Sequence, residues 1–224
     1  MERPTVECLK EHVDCYDDFT EEEKVQVAES SYILKIDKDE TVLTSASPCF
    51  GVMFIIKGRL RTFLISDDGR EVDLFYVDSG EVSVLTASCL IQTITFEVHV
   101  MAEEQTEVIL IPTSTFGKIQ HENIKIENFV LKAATERFSD VMYTMQQMLF
   151  LPVQQRVAIF LHDECVRTGS NEIQTTHKQI AQALGTAREV VTRILRIMQE
   201  KHIIGVSRGS VIILDRKELK REAQ

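Results

Sequence analysis

Residues 176–201 read THKQIAQALGTAREVVTRILRIMQEK. The apolar positions here fall on two short helical stripes broken by one glycine. Ile180 and Leu184 lie four apart on the first stripe; Val191, Ile194, Leu195 and Met198 repeat at three and four on the second. Gly185 stands at the break, where a residue without a Cβ can take up the left-handed backbone that closes a helix. Ala181, four residues earlier, is small enough to let two helices cross closely. The spacing predicts a helix-turn-helix, with a first helix over 176–184 and a second from Thr186 to about Lys201.

The second helix then presents Arg188, Glu189, Thr192, Arg193 and Arg196 away from its apolar stripe. Side chains at the start of such a helix can reach base edges in a DNA major groove. Arginine can bond bidentately to guanine and glutamate can accept from cytosine, so Arg188, Glu189, Thr192 and Arg193 are the candidate base readers. Two local alternatives stand beside this. Glu189 lies three residues after Thr186 and could close a capping box, and Glu189 with Arg193, four apart, could simply pair on a solvated face. Thr176, His177 and Lys178, at the first helix's start, are candidates for phosphate contact, as is Arg196. Downstream, residues 203–214 read as two strands joined by an Arg-Gly turn, a wing whose Ser207 and Arg208 could also touch phosphate.

Working outward, the charge is unevenly spread. Residues 152–224 hold 12 Lys and Arg against 8 Asp and Glu, a balance of +4, whereas residues 1–151 carry a balance of −14. Such asymmetry suits a chain in which one module meets a polyanion and the other does not. The 224 residues, 44% hydrophobic and 27% charged, exclude a disordered or low-complexity chain. Charge-free stretches such as 82–96 are too short to cross a bilayer, and the acidic N-terminus has no apolar core, so neither membrane nor secretion is expected. Five cysteines at irregular spacing fit free thiols in a cytoplasm rather than a disulfide framework. No triad, metal cluster, phosphate-cradling loop or paired-carboxylate motif marks the chain as an enzyme.

Residues 1–30 read as short helices, with a capped, acid-rich start at Thr20. Residues 31–112 change to period two, in YILKI, GVMFII, RLRTFLI, EVDLFYV and FEVHV, with turns at Lys57-Gly58, Ser66-Asp67-Asp68-Gly69 and Ser79-Gly80. Many short strands without intervening helices predict an antiparallel roll. From about Asn123 to Phe150 there is no Gly or Pro. Val130, Ala134, Arg137, Val141, Thr144 and Met148 make a seam at alternating spacings of four and three, with Phe138, Met142, Met145 and Leu149 beside it. A helix with two apolar faces can pack on its own domain and on a partner. Val130, Ala134, Val141, Thr144 and Met148 are the candidate dimer contacts. Pro152 starts another helix and marks a hinge. The expected fold is α+β: an effector-sensing roll domain over 1–117, a long dimerisation helix and hinge over 118–151, and a winged helix-turn-helix over 152–224.

On these residues the chain resembles the cyclic-AMP-receptor-protein/FNR family of bacterial transcription regulators. The resemblance rests on Ile55-Ile56-Lys57-Gly58-Arg59-Leu60, the Ser66–Glu71 turn, Ser79-Gly80-Glu81, the run Ile180–Gly185 and the run Arg188–Arg193. It implies a homodimer on a two-fold symmetric operator, with Arg188, Glu189 and Arg193 at base-reading positions and Thr176 and His177 on phosphate. A regulator of transcription implies RNA polymerase as a further partner. The family's nucleotide cassette begins Gly-Glu and ends in an Arg-Ser/Thr pair. Gly80-Glu81 is present, but residues 71–117 contain no Lys or Arg and eight acids, so bound cyclic AMP would leave its phosphate uncompensated. Cys8, Cys15, Cys49, Cys89 and Cys165 are too scattered for an iron–sulfur cluster. Glu81 and Cys89 are the effector-pocket candidates, the effector being unknown. The expected function is a sequence-specific DNA-binding regulator controlled by an effector or redox signal other than cyclic AMP. The alternative is a ligand- or protein-binding module whose helix-turn-helix is structural.

Overall fold

The computed structural model describes residues 2–43, 50–84 and 98–224; Cys89, a candidate of the effector pocket, lies outside them. The chain divides into two compact units, one of residues 1–64 and 74–141, the other of 65–73 and 142–224.

The N-terminal part opens with α1 (Val6–His12), a 3₁₀ turn and α2 (Glu21–Ser30). Thr20 caps α2 as its sequence suggests. Its hydroxyl accepts from the Glu23 amide at 3.2 Å while the Glu23 carboxylate accepts from the Thr20 amide at 2.7 Å, so two otherwise orphaned donors are satisfied reciprocally. Eight described strands follow: β1 (Tyr32–Ile36), β2 (Thr41–Leu43), β3 (Gly51–Lys57), β4 (Arg59–Ile65), β5 (Glu71–Asp78), β6 (Val82–Ser83), β7 (His99–Ala102) and β8 (Thr106–Pro112). They form two four-stranded sheets, ordered β1-β8-β3-β6 and β2-β7-β4-β5, with antiparallel pairing such as Tyr32 opposite Leu110 and Met53 opposite Leu110.

The first sheet is covered on both faces, which explains its unbroken apolar runs. Val52 and Phe54 of β3, with Ile109 and Ile111 of β8, join the core beneath α1 and α2. The alternate residues Met53, Ile55, Val108 and Leu110 join a second core with Leu60, Val77 and Val100 of the other sheet. Successive side chains of a strand point to opposite faces, so one strand serves two cores. After β8 come α3 (Thr113–Glu122), which the sequence reading did not distinguish, and the long α4 (Ile124–Phe150). Ile126, Val130 and Ala133 fasten α4 into the first core.

The C-terminal unit contains α5 (Val153–Thr168), β9 (Glu172–Gln174), α6 (His177–Ala183), α7 (Arg188–Glu200), β10 (Ile204–Ser207), β11 (Ser210–Ile213) and α8 (Arg216–Glu222). Its core gathers Val157 and Leu161 of α5, Ile180 of α6, Val191 and Leu195 of α7, Ile204 and Val211 of the wing and Leu219 of α8. The wing is a three-stranded sheet, β10-β11-β9, one strand more than the sequence pattern suggested. The fold is therefore an α+β arrangement of antiparallel roll, long helix and winged helix-turn-helix. No helix among the described residues is long and apolar enough to cross a membrane.

Candidate nucleic-acid interface

The turn between α6 and α7 is built by the sequence itself. Thr176 caps α6, its hydroxyl accepting from the Gln179 amide at 3.2 Å while the Gln179 side chain accepts from the Thr176 amide at 2.9 Å. At the other end the Gly185 amide donates to Gln182 O at 3.1 Å and the Thr186 amide to Ala181 O at 2.9 Å. This nested pair is a Schellman closure, and it requires the left-handed residue that Gly185 supplies with φ +58°. The last carbonyl of the turn, Leu184 O, accepts from Nη1 of Arg156 on α5 at 2.9 Å.

Beyond the turn, α7 begins at Arg188 with Ala187 as an uncapped start. The capping box open to Glu189 and Thr186 is not formed, and no ion pair joins Glu189 to Arg193 among the described residues. Arg188, Glu189, Thr192, Arg193 and Arg196 are all exposed, opposite the buried Val191, Ile194, Leu195 and Met198. Their commitments differ. Arg196 pairs with Glu200 at 3.0 Å. The Thr192 hydroxyl donates to Arg188 O at 2.9 Å and meets Nδ1 of His177 at 2.9 Å. A hydroxyl has one proton, so the imidazole is the donor in that second bond. The side chains of Arg188, Glu189 and Arg193 make no hydrogen bond or ion pair with another described residue.

Around this helix, Thr176 and Lys178 are exposed and His177 half-buried at the start of α6. Ser207 and Arg208 are exposed at the wing tip, where Ser207 stands opposite Ser210. Helix starts and wing tips of this kind offer amides and cations to phosphate oxygens.

In the N-terminal unit, Glu81 follows Gly80, a turn residue with φ +83°. Its carboxylate accepts from the Asp78 amide at 3.1 Å and lies 3.6 Å from Nη1 of Arg137 on α4. Arg137 also approaches Asp140 at 3.3 Å and donates to Tyr76 O at 3.1 Å. Sequence reading placed Arg137 on a helical seam and missed this contact, because nothing local in the chain signals a pair 56 residues apart.

The expected dimer seam faces largely inward. Val130 is 1% exposed and packs in its own unit's core, Ala134, Val141 and Thr144 are half-buried, and Met148 is exposed. The neighbouring stripe is the open one: Phe138 is 64%, Met142 41%, Met145 45% and Leu149 66% exposed. Among the thiols, Cys8 is half-buried while Cys15 and Cys165 are buried. Burial pushes the Cys15 thiol far above its ordinary range, helped by Asp14 and Asp18 nearby. No cluster of three or more metal-ligating side chains occurs among the described residues.

Residues 155–222 match the Crp-like helix-turn-helix domain family. A crystal structure from Eubacterium rectale, described as a transcriptional regulator of the crp/fnr family, is 32% identical, covers 94% of this chain and 97% of its own, and superposes with a TM-score of 0.90. The cAMP-activated global transcriptional regulator Vfr of Pseudomonas aeruginosa is 25% identical over 77% of this chain and 85% of its own length. A global nitrogen regulator from Nostoc is 21% identical over 79% and 82% respectively. With its roll, long helix and winged helix-turn-helix in that order, the chain belongs to the Crp/Fnr family of transcriptional regulators.

Proposed function

We propose that the protein is a homodimeric, sequence-specific regulator whose two α7 helices read the half-sites of a two-fold symmetric operator. Residues 1–117 sense the signal, residues 118–151 dimerise and transmit it, and residues 152–224 read DNA. The observation that carries this reading is the state of Arg188, Glu189 and Arg193. All three stand exposed on the first two turns of α7, directly behind a hydrogen-bonded turn, with no hydrogen-bond or ion-pair partner for their side chains among the described residues. Thr176, His177, Lys178, Arg196, Ser207 and Arg208 would flank them on phosphate, giving affinity and salt dependence rather than sequence choice. Thr192, bonded within its own helix and to His177, serves the geometry more than the readout.

The proposed control is an effector or redox event other than cyclic AMP binding. Glu81 is engaged by Asp78 and Arg137, and the segment after it offers no guanidinium for a phosphate. Cys89 and Glu81 remain the candidates on the effector side. An effector acts by binding one arrangement of the long helices more tightly than another, and the output passes to RNA polymerase.

The test begins with duplexes selected from a random pool by the full-length protein. Arg193→Ala should weaken binding to the selected duplex by about 1–3 kcal/mol for each half-site while leaving a scrambled duplex unaffected. Equal weakening on both would make Arg193 a phosphate contact. Absence of any salt-dependent DNA binding by the native protein would reduce the helix-turn-helix to a structural element.

A further inference from the structure

We infer that Arg156 is a positioning residue for DNA reading: buried on α5, it clasps the turn between α6 and α7 and fixes the angle at which α7 presents its readers. The inference rests on the proposal that α7 reads DNA, and it concerns a residue that never touches DNA.

Arg156 is 8% exposed, an unusual place for an arginine. It sits on α5 immediately before Val157 and Ala158, both fully buried in the core of the C-terminal unit. The one described hydrogen bond of its side chain runs from Nη1 to Leu184 O at 2.9 Å. That carbonyl is one the Schellman closure leaves over, since the Gly185 and Thr186 amides go to Gln182 O and Ala181 O. A cation at this point also opposes the partial negative charge at the carbonyl end of α6.

The guanidinium is kept at a cost. Its Nε is buried with no partner among the described residues, and burial lowers the side chain's pKa below that of a free arginine. A methionine would fill similar space without an orphaned donor, at the cost of leaving Leu184 O without the bond it now accepts. Packing alone therefore does not account for the arginine. What it supplies and methionine cannot is a directional, charge-assisted bond to the backbone of the turn. Four residues beyond Leu184 the recognition helix begins, and bidentate base contacts tolerate little error in helix placement.

The experiment uses full-length Arg156→Met and Arg156→Lys, the duplex selected by the native protein, a scrambled duplex, and backbone amide chemical shifts of the free protein. In Arg156→Met, cooperative melting should persist, amide shifts should move chiefly over residues 182–190, and affinity for the selected duplex should fall at least about fivefold. Scrambled-duplex affinity and its salt slope should stay as in the native protein. Arg156→Lys, with a shorter reach to the same carbonyl, should show the same pattern more weakly. Arg193→Ala should lose selectivity without moving the turn's amides. Retention of native selectivity in Arg156→Met, or equal weakening on both duplexes, overturns the inference. If Arg156→Met does not melt cooperatively, the selectivity of Arg156→Lys decides by the same criterion. Should the native protein prefer no duplex, the DNA reading itself fails. The amide shifts then still judge the clasp, which is refuted if they do not move at the turn.

Discussion

Thr192 and Arg193 are neighbours on one helix face, yet their side chains are spent differently. The hydroxyl of Thr192 is occupied by Arg188 O and His177, whereas Arg193 stands free. Sequence reading grouped both as base readers because exposure follows from helical period, while engagement depends on α6, 15 residues upstream for His177. The same gap hid Arg156, since an arginine on an amphipathic helix reads as a solvated charge until the opposing carbonyl is located. Single residues also make stability depend on pH. The Glu222 carboxylate accepts from Lys201 and, at 2.7 Å, from Gln154. The Lys201 bond first, then the Gln154 bond, hold its pKa below the ordinary 4.5. A lowered carboxyl stabilises the fold above its unfolded value, and that contribution disappears as pH falls through the folded one. Urea melts should therefore show the native protein losing stability below pH 4.5 more steeply than Glu222→Gln, with the two converging in acid. Parallel profiles would remove Glu222 from this role. Glu21 and Asp68 are also lowered, by Lys24 and by Ser66 respectively, but both are fully exposed and their pairs are screened by water.

At the scale of elements, the ends of α4 were legible to within a residue, because an uninterrupted run of helix formers bounded by Asn123 and Pro152 leaves little freedom. Which stripe of α4 lies open was not legible. Both stripes are apolar, and only the first core, which takes Ile126, Val130 and Ala133, decides between them. The sheets show the same limit. β4 and β5 were evident from their turn at Ser66–Arg70, where the Ser66 amide donates to Arg70 O at 2.9 Å. β8 was not, since a strand covered on both faces has no alternation to detect, and β2 and β6 are too short to show a period. On α4, Leu131, Thr135, Phe138, Met142, Met145 and Leu149 repeat at four and three, the period of a two-stranded coiled coil, and Leu131 is itself 54% exposed. Phe138→Asp should therefore shift sedimentation from dimer to monomer, with Lys132→Glu, off the stripe, leaving the dimer intact. Removing two phenylalanines from a buried seam costs about 3 kcal/mol or more, roughly a hundredfold in the dimer's dissociation constant. A dimer that survives Phe138→Asp unchanged would place the interface elsewhere.

At the scale of the whole molecule, charge and effector chemistry act together. A balance of −14 over residues 1–151 repels polyanions, and +4 over residues 152–224 attracts them. A small anion entering the roll faces the same adverse field. Residues 71–117 bring no Lys or Arg, and Arg137, on α4, is already held by Glu81, Asp140 and Tyr76 O. To use Arg137 for a nucleotide phosphate, the protein would have to break these contacts and leave two carboxylates beside the incoming charge. Family membership does not decide this point, because the effector is selected by side chains lining the roll while the fold is set by its cores. A ligand at a hundred times its dissociation constant stabilises the state it binds by about 2.7 kcal/mol. Cyclic AMP at about 1 mM would therefore raise the melting temperature visibly if it bound with an affinity near 10 μM. The expected outcome is an unchanged melt and operator binding that is the same with and without the nucleotide. A saturable rise in melting temperature in the micromolar range, or operator binding that appears only with cyclic AMP, would show that some other group in the roll compensates the phosphate.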